Sequence, residues 1–266
     1  MIFRLGVTNV ARTVFAEQDL SQNLFLGGKV SLLQPKNGYR AGVDPVLLAA
    51  SVPAQPGESL LELGCGAGQG MLCVNARISG LKITGVELQF AYADLARRNG
   101  KLNDCALKVY EADLTTLPDG VKQQQFDHVI ANPPYYRKGA HSPSQNSGRR
   151  VALGEDTPLE QWIDIAARRL RHKGYLHVIQ RADRLPDVLM ASADRLGSVE
   201  VLPLAPRVGR AAELVLVRAR KGGRAAFRLH APLVLHQGAQ HGEDGVDYSP
   251  QVEAILRNGA ALAWPT

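Results

Sequence analysis

The chain has 266 residues, 45% of them apolar, enough to bury one sizeable core, and a net charge of +6 that favours a polyanionic partner only weakly. No apolar run approaches the ~20 residues needed to span a bilayer, and Arg4, Arg12, Glu17 and Asp19 break up the start of the chain, which argues against a signal peptide. Three cysteines without Cys-x-x-Cys or Cys/His spacing point away from a metal and toward a reduced cytoplasm.

In chain order, residues 1–56 suit a hairpin ahead of the first strand. Ser59 to Leu63 reads as that strand, entering the glycine loop Gly64-Cys65-Gly66-Ala67-Gly68, with a helix from Gln69 to Ser79. Lys82 to Glu87 is a second strand. Ala91 to Leu102 follows as a helix with Leu95, Ala96 and Leu102 inward, and Leu107 to Ala112 is a third strand ending at Asp113. Phe126 to Ala131 is a fourth strand, with His128 read as a packed core residue, and it runs into Asn132-Pro133-Pro134-Tyr135. A helix from Leu159 ends among Arg168, Arg169, Arg171 and Lys173, where cations complement the helix dipole. Tyr175 to Gln180 is strand five, and Asp183 to Leu196 is helical with Pro186 in its first turn. Ser198 to Pro203 and Glu213 to Arg218 read as a closing hairpin, and Phe227 to Leu235 as an extended segment. The Arg218, Arg220, Lys221 and Arg224 cluster around Gly222-Gly223 reads equally as a solvated tip or an RNA contact.

Two stretches carry chemistry. Consecutive prolines fix φ and remove two backbone donors, so neither strand nor helix continues past Asn132. The rigid turn holds an amide and an aromatic ring together at a strand's end, which suits a flat amino-bearing group. The Asn132 and Pro133 carbonyls accept from its NH2 while Tyr135 stacks on its face. The glycine loop lets backbone amides approach a ligand, and Glu62 just before it is placed to meet a positive group. It is not the dinucleotide fingerprint Gly-x-Gly-x-x-Gly, because the third glycine is Gln69 in one register and Met71 in the other.

Glu62-x-Gly64-x-Gly66-x-Gly68 instead resembles the first motif of S-adenosylmethionine-dependent methyltransferases. The resemblance covers roughly residues 57–220 and implies a Rossmann-like class I fold. That is an α/β architecture with a seven-stranded, mostly parallel sheet, an antiparallel last strand and helices on both faces. It also implies a cofactor site made by Glu62, Gly64, Cys65, Gly66, Gly68 and Asn132. Glu87 with Leu88 takes the ribose hydroxyls and Asp113 with Leu114 the adenine, at the carboxyl ends where open α/β sheets bind ligands. The front segment Gly38-Tyr39-Arg40-Ala41-Gly42-Val43-Asp44 resembles the bacterial tRNA (adenine-N6)-methyltransferase family, whose members modify the adenine beside the anticodon of a valine tRNA. There a hairpin and this segment cover the cofactor, which adds Arg40 and Asp44 to the cofactor site.

The expected division is a covering segment at 1–56, a catalytic core at 57–220 and an extension at 221–266. Asn132, Pro133, Pro134 and Tyr135 are the candidate catalytic residues. Arg137, Lys138, Arg149 and Arg150 flank the turn and are the candidate RNA contacts. A base in structured RNA must leave its stack to reach such a turn, with Tyr135 replacing the lost stacking. The expected reaction is N6-methylation of an adenine in tRNA by a cytoplasmic monomer or weak homodimer, without metal or membrane. Three rivals stand beside it: an rRNA or DNA base, a protein glutamine, and a non-catalytic cofactor- or RNA-binding module.

Overall fold

The computed structural model describes residues 13–137, 154–155, 157–238 and 247–265. Strands β1 (Leu20–Phe25) and β2 (Val30–Pro35) form the expected antiparallel hairpin. Its turn docks on the end of the chain: a Cβ on Gly27 would lie 2.4 Å from the Arg257 carbonyl oxygen, and Lys29 Nζ donates to the Asn258 carbonyl at 2.8 Å. Helix α1 (Asp44–Ala50) follows, with Pro45 in its first turn and Pro45 to Ala50 buried.

The core then alternates strand and helix: β3 (Ser59–Leu63), α2 (Gln69–Arg77), β4 (Lys82–Glu87), α3 (Phe90–Leu102), β5 (Leu107–Glu111), the short α4 (Asp119–Lys122) and β6 (Phe126–Ala131). Two-residue pieces β7 (Tyr136–Arg137) and β8 (Gly154–Glu155) pair with each other. Next come α5 (Leu159–Arg169), β9 (Leu170–Arg181), α6 (Leu185–Ser192), β10 (Gly197–Ala205), β11 (Leu214–Arg220), the short β12 (Arg228–Leu229) and β13 (Leu233–Val234), and α7 (Pro250–Asn258).

The long strands lie in the order β10-β11-β9-β6-β3-β4-β5, all parallel except β11, which is antiparallel to both neighbours. The seven expected strands are joined by two short pieces, β12 and β13, each parallel to β10. The chain runs outward through β3, β4 and β5, then returns to β6 on the other side of β3. Strand order reverses between β3 and β6, the place where such sheets open a ligand crevice.

Alternating side chains split the core into two layers. Leu60, Ile83, Ile130 and Leu216 pack with α1, α2 and α7, whereas Leu61, Leu63, Val129, Val178 and Val217 pack with α5 and α6. Two expectations need correcting. Leu102 is 43% exposed, because α3 spends its inner face on Leu95, Ala96 and Asn99. Arg171 and Lys173 are not helical: α5 ends at Arg169 and β9 begins at once, where Arg171 pairs with Asp127.

Candidate active site

The carboxyl ends of β3, β4, β5 and β6 converge on one cleft. Of the expected cofactor residues, Glu62, Gly64, Cys65, Gly66, Glu87, Leu88, Asp113, Leu114 and Asn132 line it, with Pro134 of the turn beside them. Gly68 stands behind the wall at the head of α2, in the left-handed conformation with φ +88°, against Ala96.

Gly64 and Gly66 use positive φ for different reasons. At Gly64 (φ +64°) a Cβ would fall 2.5 Å from the Trp162 ring, so the glycine admits the indole. At Gly66 (φ +52°) nothing lies within 4 Å of the Cβ position, so the open space belongs to a ligand approaching the backbone. Glu87 accepts from Gly66 N and Gln89 N, both at 2.9 Å, which ties the loop to the end of β4 and aims the carboxylate into the cleft. Asp113 uses Oδ1 to accept from Thr115 N and Oγ1, both at 2.7 Å, capping the turn after β5. Leu88, half exposed, and Leu114 offer apolar surface beside these two acids.

The cleft is acidic. Glu62, Glu87 and Asp113 line it, and its described lining includes no Lys, Arg or His. Burial pushes Glu62 up to about 8, opposed by its 2.9 Å bond from Met71 N and reinforced by the Glu87 charge. Burial also raises Glu87, and it raises Cys65 well above the ordinary thiol range, so Cys65 remains a protonated wall residue.

Three buried polar atoms with no protein partner belong to lining residues: Asn132 Oδ1, Gln69 Oε1 and Trp162 Nε1. Buried polar groups are normally paired, so these await a ligand that brings donors and an acceptor. Gln69 Nε2 donates to the Gly42 carbonyl at 3.0 Å, which fixes the amide so that Oε1 is the free acceptor. A cofactor carrying a sulfonium, an ammonium, a ribose and a purine fits this set of acids, acceptors and apolar walls.

The turn after β6 is braced from behind. Gln180 Nε2 lies 3.5 Å from the Pro133 oxygen and 3.4 Å from the Pro134 oxygen, and Gln180 Oε1 accepts from Arg181 N at 2.8 Å. The Tyr135 hydroxyl donates to Asp44 Oδ2. Asp44 therefore faces the turn, while its neighbours Tyr39, Ala41 and Pro45 line the cleft.

Arg40 departs from expectation. It does not line the cleft but turns back onto the hairpin, donating to Ser21 Oγ at 2.7 Å, the Pro35 carbonyl at 3.1 Å and Asn23 Oδ1 at 2.8 Å. Those three acceptors satisfy the guanidinium locally, and Tyr39 and Ala41 take the wall positions.

Lys138, Arg149 and Arg150 lie outside the described residues, as does the side chain of Arg137. The Arg218 to Arg224 cluster lies toward the opposite end of the sheet from the turn, since Arg220 pairs with Tyr175 in the first half of β9. Arg218 is committed to Glu200 at 2.5 Å and to the Trp264 ring, and Lys221 to the Leu170 carbonyl at 2.8 Å. His128 is buried as expected and also has partners, Glu58 Oε2 at 3.1 Å and His177 Nε2 at 3.4 Å.

Sequence reasoning missed Gln69, Tyr39, Thr157 and Trp162 as lining residues. Trp162 shares the helical stripe of Leu159, Ile163 and Ala166, and so reads as ordinary core. A glutamine straight after a glycine loop was the one available signal for Gln69.

A family model described as methyltransferase small domain matches residues 41–202. A tRNA1(Val) (adenine(37)-N6)-methyltransferase of Porphyromonas gingivalis is 30% identical over 179 residues, covering 62% of this chain and 69% of that protein. Its counterpart by name in Dickeya chrysanthemi is 26% identical over 226 residues, covering 82% and 87%. The crystal structure of a protein described as a predicted O-methyltransferase from Agrobacterium tumefaciens superposes with TM-score 0.67 at 30% identity, over 84% of this chain and all of that one. A T. thermophilus 16S rRNA N2 methyltransferase, solved with AdoMet and guanosine, shares the fold at TM-score 0.54 and 18% identity, over 76% and 50%.

Proposed function

The chain belongs to the methyltransferase small domain family, and from that premise we propose that it methylates the N6 amino group of an adenine in tRNA, using S-adenosylmethionine. The orphaned acceptor Asn132 Oδ1, buried at the wall of an acidic cleft, is the observation that carries the reading. Bound in the cleft, the cofactor supplies a methyl group already activated on a cationic sulfur. Glu87 would accept from its ribose hydroxyls, Asp113 from its adenine amino group, and Leu88 and Leu114 would supply apolar contact to the purine. Once Glu62 has given up its proton on binding, the acids Glu62, Glu87 and Asp113 would favour its cationic end.

The chain's own catalytic task is orientation. An exocyclic amine on a purine is a poor nucleophile, because its lone pair is delocalised into the ring. Asn132 Oδ1 and the Pro133 carbonyl grip its two hydrogens, favour a pyramidal nitrogen and aim the freed lone pair toward the methyl. Gln180 holds the turn carbonyls in place behind them. Tyr135 receives the unstacked base, and Arg137, Lys138, Arg149 and Arg150 take the flanking phosphates. A tRNA substrate supports a cytoplasmic location.

The test is transfer of labelled methyl from S-adenosylmethionine into total tRNA from cells lacking this protein, followed by nucleoside digestion. N6-methyladenosine is expected with the native chain, and Asn132→Ala is expected to lose about 100-fold in turnover with little change in cofactor affinity. Protein that binds the cofactor yet leaves tRNA unlabelled would sink the tRNA reading, and the assay would move to rRNA, DNA and protein glutamine.

A further inference from the structure

We propose that Asp44 is a positioning residue for Tyr135, holding the ring at the angle at which it receives the target base, and is not a cofactor ligand. This extends the reading of Tyr135 as the base's stacking partner and rests on it. The two residues stand 91 positions apart, and the Tyr135 hydroxyl donates to Asp44 Oδ2. Asp44 opens α1, whose following residues Pro45 to Ala50 are all buried, so the acceptor sits on an element that cannot drift. Its neighbour Pro45 lines the cleft while the Asp44 carboxylate engages the turn.

A phenol ring on a turn is free to rotate about its side-chain bonds unless its far end is held. The Tyr135 backbone is fixed by the two preceding prolines, whose carbonyls stand against Gln180 Nε2. With the hydroxyl held by Asp44, the ring is fixed at both ends, which sets the angle at which a base would meet it. Burial lifts the Asp44 carboxyl above its ordinary range and the Tyr135 hydrogen bond pulls it back, as expected of a carboxylate spent on that phenol. The front segment thus closes the cofactor cleft with Tyr39, Ala41 and Pro45 and sets the base-receiving ring with Asp44.

The experiment compares Asp44→Val, which removes the acceptor, Asp44→Asn, which keeps one, Tyr135→Phe, which removes the donor, and the Asp44→Val/Tyr135→Phe double variant. Methyl transfer to tRNA gives kcat/KM, calorimetry gives the cofactor Kd, and thermal melting checks the fold. Asp44→Val and Tyr135→Phe should each lower kcat/KM for tRNA about tenfold, and the double variant should fall no further. Asp44→Asn should recover to within about threefold, with cofactor Kd unchanged within about twofold throughout. Losses that multiply in the double variant would overturn the assignment, as would a tenfold weaker cofactor Kd in Asp44→Val or an unaltered kcat/KM. Should Asp44→Val melt below the assay temperature, Asp44→Asn with and without Tyr135→Phe decides by the same non-additivity. A native chain that transfers no methyl to tRNA would instead overturn the underlying reading.

Discussion

Glu62 governs the pH response of the cleft. Its folded value of about 8 lies above the ordinary 4.5, and burial is the main cause. Its contribution to stability is therefore full below about pH 4.5 and is lost as pH rises through 8. A cationic cofactor favours the ionised carboxylate, so binding near pH 7 should expel a proton and affinity should climb with pH up to about 8. Calorimetry in two buffers of different ionisation enthalpy measures this. A buffer-dependent heat is expected from the native chain and a clearly smaller one from Glu62→Gln, whose amide oxygen can still accept from Met71 N. At this scale the sequence was legible where the signal is local. Glu62, Glu87, Asp113 and Asn132 each lie within two residues of a strand's carboxyl end, and strand ends show in apolar patterning. Trp162 and Gln69 were not legible, because a core stripe and a helix start look the same whether or not they face a cleft.

The hairpin is held by side chains that act as a strand. Asn99 of α3 accepts from Leu33 N at 2.8 Å and donates to the Leu33 carbonyl at 3.0 Å, and Asn103 does the same at Ser31 with 2.8 and 2.7 Å. The free edge of β2 is thereby paired without another strand. Asn99 Nδ2 also donates to the Ala67 carbonyl at 2.9 Å, linking the hairpin to the glycine loop. Asn99→Ala leaves three backbone groups without these partners and should cost about 3 kcal/mol. Urea unfolding measures that loss, and cofactor affinity should weaken in the same variant because the loop loses a tether. Nothing in the spacing of Asn99 and Asn103 announced this, since an i, i+4 asparagine pair on a helix is ordinarily a solvated face.

Across the whole molecule, front, centre and end share one core. Leu26 and Leu32 of the hairpin region, Leu48 of α1, Leu72 of α2, and Val252, Ile255 and Leu262 from the end of the chain fall in a single apolar cluster. Leu262 N donates to the Ala50 carbonyl at 2.8 Å and Trp264 Nε1 to the Ser51 carbonyl at 3.0 Å, pinning the chain end to α1. A chain cut after residue 246 loses three nearly fully buried aliphatic side chains, each worth roughly 1.5–3 kcal/mol. That rivals the whole stability of a domain, about 5–15 kcal/mol. Such a truncation should lose its cooperative thermal transition, which differential scanning calorimetry would register. A sharp melt within a few degrees of the native one would show that the end segment is dispensable.

The sequence by itself determined the order of the seven long strands and of α2, α3, α5 and α6, and its motifs resemble those of a family with one class of cofactor. Those depend on apolar period, on glycine and proline geometry, and on which residue follows each strand, all properties of short stretches. Tertiary structure alone decided that Arg40 serves the hairpin, that Trp162 covers Gly64, that Asn99 completes the edge of β2, and that Asp44 meets Tyr135. These contacts join residues far apart in the chain, and their geometry comes from how α1, α3 and α5 pack on the sheet. A side chain's partner is set by that packing, which no local pattern encodes.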